Sequence, residues 1–279
     1  MSTENEVGFN CLLEGPSGTG KTYSLGTLAE IGGLEVFCLF LESGQETLYG
    51  YFTDKGKPLP DNVHIHHLQT ATASFKELLD SAKKTNTLPY EALTKMIDPY
   101  RNRYDGYFKI LECLNNYVDQ RTGESFGPVD SWGTDRVLVI DGLSGINRAA
   151  MQLVVGGRAT RSKPDWGQAQ FYVEELLQGL TNGCRCHVIL IGHIEREIDE
   201  LLGGQKITVS TLGQKLSPKI PQMFSDVILS KRDGNKFIWS TADVGVDLKS
   251  RNLPLSANLP PDFGAIHARW LSRVEGVRK

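Results

Sequence analysis

Eight contiguous residues near the start of the chain, Gly15, Pro16, Ser17, Gly18, Thr19, Gly20, Lys21 and Thr22, fit the spacing G-x-x-x-x-G-K-[ST]. Glycines at these positions let successive backbone N–H groups turn inward around an anion, and a helix starting at Lys21 would aim its positive end at the same point. Lys21 supplies a cation for the β- and γ-phosphates of a nucleoside triphosphate, and Thr22 a hydroxyl for Mg²⁺. The pattern therefore predicts a Mg-ATP cradle formed by Gly15 to Thr22.

Other residues qualify by where apolar runs end. Asp141 closes "RVLVID", at the tip of a strand expected beside the phosphate-loop strand, where a carboxylate shares Mg²⁺ with Thr22. Glu42 follows "EVFCLFL" and is the candidate to orient or deprotonate an attacking water; the alternative is an acid that only solvates a strand end. His193 ends "VILIGH", where a polar side chain can sense the γ-phosphate, the alternative being a structural histidine. Arg232, in "DVILSKRDG", sits on a late strand where ring or filament ATPases present a cation to a neighbour's γ-phosphate; Lys231 is the competing choice, and a solvated hairpin end is the alternative to both.

These positions need a scaffold, and the pattern around them supplies one. "GFNCLLEG", the glycine loop and "KTYSLGTLAEI" read as strand, loop and helix. "EVFCLF", "DRVLVID" and "CHVILIG" are continuous apolar runs of strands buried on both faces of a parallel sheet. "NVHIHHL" reads as a strand with outward imidazoles, "SFKELLDSAKKT" as a helix capped by Ser74, and "WGQAQFYVEELLQGLTN" as an amphipathic helix. "FSDVILSKRDGNKFIWSTA" predicts two strands joined at Asp233-Gly234, and the tail ends in a short helix with Arg269, Arg273, Arg278 and Lys279. Residues 85 to 134 break the rhythm and read as an insertion whose one good helix spans about 105 to 119.

The chain has 279 residues, 40% apolar and 23% charged, which suits one α/β domain with decoration. Its formal charge of -3 gives no whole-chain attraction to nucleic acid or anionic membrane, so any polyanion site must be local. The local candidate is "GGRATRSK", with Arg158, Arg161 and Lys163. No run approaches the roughly 18 apolar residues of a membrane span, and the N-terminus lacks a signal-peptide layout, so a soluble cytoplasmic protein is expected. The five cysteines read as free buried thiols, Cys184-x-Cys186 lacking a second pair at zinc-site spacing.

In their order, the phosphate loop, the strand before Glu42, "VLVIDGLS", "DWGQAQ", "HVILIGH", "FSDVILSKRD" and "DLKSRNLPL" resemble the RecA-like ATPases of bacteriophages, especially the group linked to single-strand annealing and recombination. The resemblance spans about residues 8 to 263 and matches 85 to 134 poorly. It implies a RecA-like P-loop fold, with a mostly parallel central sheet flanked by helices. It implies that Gly15 to Thr22 and Asp141 bind Mg-ATP and that Glu42 activates water. His193 stands where such proteins usually carry glutamine. It places two DNA loops at about 153 to 165 and 196 to 218; the first holds the three cations, while the second starts acidic and has no aromatic for stacking. The implied partners are single-stranded DNA, further copies in a ring or filament, and a phage single-strand-binding protein, all in the host cytoplasm. A nucleotide-dependent assembly or regulatory switch that binds a protein instead of DNA, and a small-molecule kinase, are the competing expectations.

Overall fold

The computed structural model describes residues 6–69, 72–98, 103–198 and 205–277. β1 (Asn10–Glu14) enters the phosphate loop, which leads into α1 (Lys21–Ser24) and a 3-10 segment (Leu25–Glu30). One α-helix was the expectation across this stretch. Hydroxyls loosen it: Ser24 donates to the Lys21 carbonyl (2.6 Å) and Thr27 to that of Ser24 (2.8 Å), competing for carbonyls of the helical ladder. β2 (Glu35–Phe40), α2 (Gln45–Thr53) and β3 (Val63–His67) follow.

α3 (Phe75–Thr87) leads into the expected insertion, which holds α4 (Tyr90–Leu93) and α5 (Gly106–Asn115). Ser74 caps α3 as expected, in a box closed reciprocally with Glu77. α5 stops short of 119 because the chain turns to run along β3, with the Gln120 N–H donating to the Ile65 carbonyl (2.9 Å). The Gln120 side chain bonds both the N–H and the carbonyl of His67, and Asp119 accepts from the Ile65 N–H. The same segment corrects the expected outward imidazoles. His64 is buried, 2.8 Å from Glu35 through Nε2 and 3.2 Å from Asp119 through Nδ1, and stacks on Phe37. An exposed histidine was inferred from strand alternation, but the inserted segment covers that face.

β4 (Arg136–Asp141), α6 (Leu143–Val155), α7 (Lys163–Gln178) and β5 (His187–Gly192) complete the parallel core. An antiparallel ribbon of β6 (Ile194–Ile198) and β7 (Gln205–Val209) then occupies part of the expected second DNA loop, of which residues 199–204 lie outside the described residues. α8 (Ile220–Met223) precedes the predicted hairpin of β8 (Asp226–Asp233) and β9 (Lys236–Ser240). The tail forms α9 (Phe263–Val277), longer than the short helix expected; Arg278 and Lys279 lie outside the described residues.

The seven-stranded sheet runs β3-β2-β4-β5-β1-β8-β9, parallel throughout except for β9. One expectation is corrected here: β4 is not beside the phosphate-loop strand. β5 lies between them, pairing with Asn10–Glu14 on one side and Val137–Asp141 on the other. All six β5 residues are buried, so this strand needs cover on both faces and hydrogen-bonded neighbours at both edges, which a central position provides. Alternation along β1 splits the core: Leu12 packs with the α5–α7 side, whereas Cys11 and Leu13 pack with α1, α2 and α9. Among the described residues, no helix is long and apolar enough to cross a membrane.

Candidate nucleotide site

The phosphate loop leaves the C-terminal end of β1 and is held from below. The Gly15 N–H donates to the Gly192 carbonyl (3.2 Å), and Ser230 of β8 donates its hydroxyl to the Thr19 carbonyl (2.9 Å). A Cβ at Gly15 would fall 2.3 Å from the Ser230 carbonyl oxygen, so only glycine lets the loop pass β8. Gly20, at φ 82, turns the chain into α1 with the Phe237 ring packed on its α-carbon. Thr19 closes the loop by donating to Pro16 (2.9 Å), while Ser17 and Gly18 face solvent.

Lys21 is buried, and its ammonium donates to the Gly15 (2.8 Å) and Pro16 (2.7 Å) carbonyls. Burial lowers its pKa to about 8, against the upward pull of Asp141 and then Glu42. Thr22 donates to Asp141 across 2.7 Å. Burial raises the Asp141 carboxyl to about 6, with the Thr22 hydrogen bond and Lys21 opposing it and Glu42 adding to it. β2 and β4 are neighbours, and this places Glu42, two residues beyond β2, on the same rim.

Glu42 stands with one carboxylate oxygen 3.8 Å from His193 Nε2 and the other 3.8 Å from an Arg148 guanidinium nitrogen. These are ion-pair distances beyond hydrogen-bond range, which leaves the carboxylate's lone pairs open to a new partner. His193 directly follows β5, so the central strand carries it between the phosphate loop and Glu42. Ser17 to Thr22, Glu42, Asp141 and His193 thus line one cavity of about 270 Å³, joined by Ser43, Gly44 and Thr47.

Arg148 was missed in the sequence because its helix position carries no motif. Glu14 was also missed: it is 1% exposed, one carboxyl oxygen has no hydrogen-bond partner, and burial followed by repulsion from Asp247 raises it to about 8. An acid before a glycine loop gives no sign of such burial.

The remaining candidates lie elsewhere. Arg232 is exposed and bonds the Gly234 carbonyl of its own hairpin (2.9 Å), whereas Lys231 pairs with Asp243 (2.7 Å). Neither lines the cavity of its own chain. The basic stretch joins α6 to α7, and Arg158 departs from expectation. It donates to the Val154 and Val155 carbonyls, capping α6, and to Asp165 (2.8 Å). Hydrogen bonds from Ser162 and then Arg158 hold Asp165 down at about 2. Arg161 and Lys163 remain exposed, beside Trp166, which is 39% exposed. Cys184 and Cys186 are buried free thiols.

A parallel sheet with one strand between the phosphate-loop strand and the acid-bearing strand, and a cradle at its C-terminal edge, defines a nucleotide-binding ATPase fold of the RecA-like P-loop class. Within that class the chain belongs to a family of AAA domains, whose model matches residues 8–251. A search of curated proteins finds no match.

Solved structures with a similar fold include the assembled ATPase EscN, in complex with its central stalk EscO, from the enteropathogenic E. coli type III secretion system. It shows 13% identity and a TM-score of 0.38 over 81% of this chain and 42% of that one, so this chain spans less than half of EscN's length. Flagellar accessory protein FlaH from Methanocaldococcus jannaschii matches at 12% identity and a TM-score of 0.31, over 91% and 84% of the two chains. The RadB recombinase matches at 13% and 0.32, over 91% and 86%. The fold assignment rests on the strand order, since these likenesses are low.

Proposed function

We propose that the protein binds and hydrolyses Mg-ATP in this cavity and couples the cycle to single-stranded DNA in phage recombination or replication. The observation that carries the reading is Glu42: a half-exposed carboxylate between His193 and Arg148, on the rim that also holds Lys21 and the Thr22–Asp141 pair. Lys21 exchanges its two carbonyl partners for the β- and γ-phosphate oxygens. The hydroxyl and carboxylate of Thr22 and Asp141 are hard oxygen donors suited to Mg²⁺, and the negative charge of the Asp141 carboxylate, which burial penalises, would be stabilised by a cation. When bound there, Mg²⁺ draws negative charge from the phosphate oxygens. Glu42 takes the proton of the attacking water, and His193 reports the γ-phosphate to the β6–β7 ribbon, since its carbonyl accepts from the Ser210 N–H at the end of that ribbon.

The single strand lies along the head of α7. Arg161 and Lys163 contact phosphates there and Trp166 offers a stacking face, while Arg158 holds the loop together. A second copy in a ring or filament brings Arg232 to its neighbour's γ-phosphate. The deciding experiment is ATP hydrolysis with and without single-stranded DNA, using Lys21→Ala as the blank. Stimulation of about tenfold or more is expected, because the polymer partner completes the active assembly. Turnover indifferent to DNA sinks the DNA half of the reading.

One observation favours a protein-partner switch as the second reading. The insertion is bonded to the basic stretch, with the Asp98 N–H donating to Gly157 (2.7 Å) and the Ala159 N–H to Met96 (3.2 Å). A nucleotide-dependent shift of α6 would then move the insertion.

A further inference from the structure

Among the described residues, α3 is a helix with little cover. None of its residues is buried, yet Phe75, Leu78, Leu79 and Ala82 fall at i, i+3, i+4 and i+7, and the first three are 91%, 52% and 55% exposed. A 13-residue helix is marginal in water on propensity alone, and an apolar stripe of this kind gains its stability by being covered. The Ser74–Glu77 capping box and an ion pair from Arg103 to Glu77 (2.7 Å) hold the helix formed and tethered in the meantime.

A candidate receptor lies on the same molecule. Leu111 and Leu114 of α5, with Leu176 near the end of α7 and Leu180 just beyond it, line a mostly apolar groove of about 470 Å³. A wide π-type turn, Gly179–Gly183, forms its far end. Leu111 is 42% exposed there, and the adjacent Phe108 is 55% exposed. The rims carry the opposite charge to two lysines of the helix. Asp130 and Glu175 stand exposed on the groove, with no ion pair among the described residues. Lys76 and Lys83, seven residues apart and hence on one flank of the stripe, are exposed on α3.

We propose that α3 of one copy seats its Phe75–Leu78–Leu79 stripe in the α5–α7 groove of a second copy, with Lys76 and Lys83 against Asp130 and Glu175. Each molecule carries both halves, and the halves are different surfaces. The contact is therefore heterologous: it propagates head to tail into a ring or a filament instead of stopping at a symmetric dimer. It uses no residue of the nucleotide site, so it stands apart from the ATPase reading.

The test is mass by light scattering on two variants, one with the helix broken (Leu78→Asp with Leu79→Asp) and one with the groove broken (Leu111→Asp). The parent protein is expected to form multiples of its 30.9 kDa chain, and each variant alone to stay monomeric. Mixed together, the variants are expected to give a 1:1 dimer and nothing larger, because one intact helix and one intact groove remain. Lys83→Glu should weaken assembly of the parent, and adding Glu175→Lys should restore it. Binding of a fluorescent ATP analogue, measured on the same samples, stays unchanged and certifies the fold; loss of it in the parent would strike the nucleotide reading and leave this one standing. A parent that is monomeric at every concentration overturns the proposal, whether α3 folds onto its own groove or serves another protein. So do variants that assemble like the parent, and mixtures that remain monomeric.

Discussion

Two stretches of this chain draw on the same kinds of residue: GPSGTGKT at residues 15 to 22 and GGRATRSK at residues 156 to 163. Both offer glycines, hydroxyls and cations to an anion. In the first, β5 and β8 fix the loop from below through Gly192 and Ser230, so its cation and hydroxyl converge on one cavity. In the second, the described support is two backbone bonds with Met96 and Asp98, and the leading cation is spent on holding the loop together through two carbonyls and Asp165. By charge alone the second stretch, with three cations against one, held the greater promise; the neighbours decided how much of that charge faces outward.

The contrast is sharpest at Lys21 and Glu42. Lys21→Ala should weaken ATP binding by about 100-fold or more, read by fluorescent-nucleotide titration, because a buried cation at the phosphates has no substitute. Glu42→Gln should retain that affinity while losing about 10²–10⁴-fold in turnover, the usual worth of a positioned base. Undiminished hydrolysis in Glu42→Gln would remove the base from this rim.

The next effect is on pH. In the free protein Asp141 sits at about 6 and Lys21 at about 8. Mg-ATP binding needs Asp141 ionised, so below about 6 it must release a proton and affinity falls as pH falls. Binding also needs Lys21 charged, so above about 8 it must take one up and affinity falls as pH rises. A plateau between those values is expected, dropping about tenfold per pH unit on either side, with calorimetry showing proton release on the acid limb and uptake on the alkaline one. Asp141→Asn should flatten the acid limb only.

Smaller differences should separate the three cations of the second stretch. Arg161→Ala and Lys163→Ala should each weaken single-strand binding a few-fold and lower the salt dependence by about one ion, whereas Arg158→Ala should lower Tm instead. If Arg158→Ala loses DNA affinity at unchanged Tm, the loop opens in solution and the contrast with the cradle fails. The smallest expected effect is Glu14→Gln. The folded carboxyl, at about 8 against its ordinary 4.5, keeps a proton that the unfolded chain releases. That stabilisation is complete below 4.5 and is lost as pH rises through 8. The variant should therefore melt with the parent in acid and a few degrees above it at pH 9.

The cradle was legible because its eight residues are contiguous and the fold merely has to leave them together. Asp141 and Glu42 were legible as acids after apolar runs, since strands of one parallel sheet end on one side. What no local pattern carries is the identity of a neighbour. The entry of β5 between β1 and β4, the burial of His64 under residues 117 to 121 and the burial of Glu14 near Asp247 all depend on segments far away in sequence. Arg158 lay nearer to view: Ser162 and Asp165 form a capping box three residues apart, and an arginine just upstream is a natural partner for its acid.

The Asp119–Gln120 strap along β3 has its counterpart at the opposite border of the sheet, where the Trp239 and Leu259 backbones exchange two hydrogen bonds of 2.8 Å. Open borders invite other chains to add strands, the route to amyloid-like growth and to partners that bind by β-augmentation. Here a carboxylate and an amide side chain stand in for a missing strand and the tail closes the other side. A crowded solution of this protein should therefore resist fibril formation while it stays folded, and Gln120→Ala is the substitution that would reopen a seam for it.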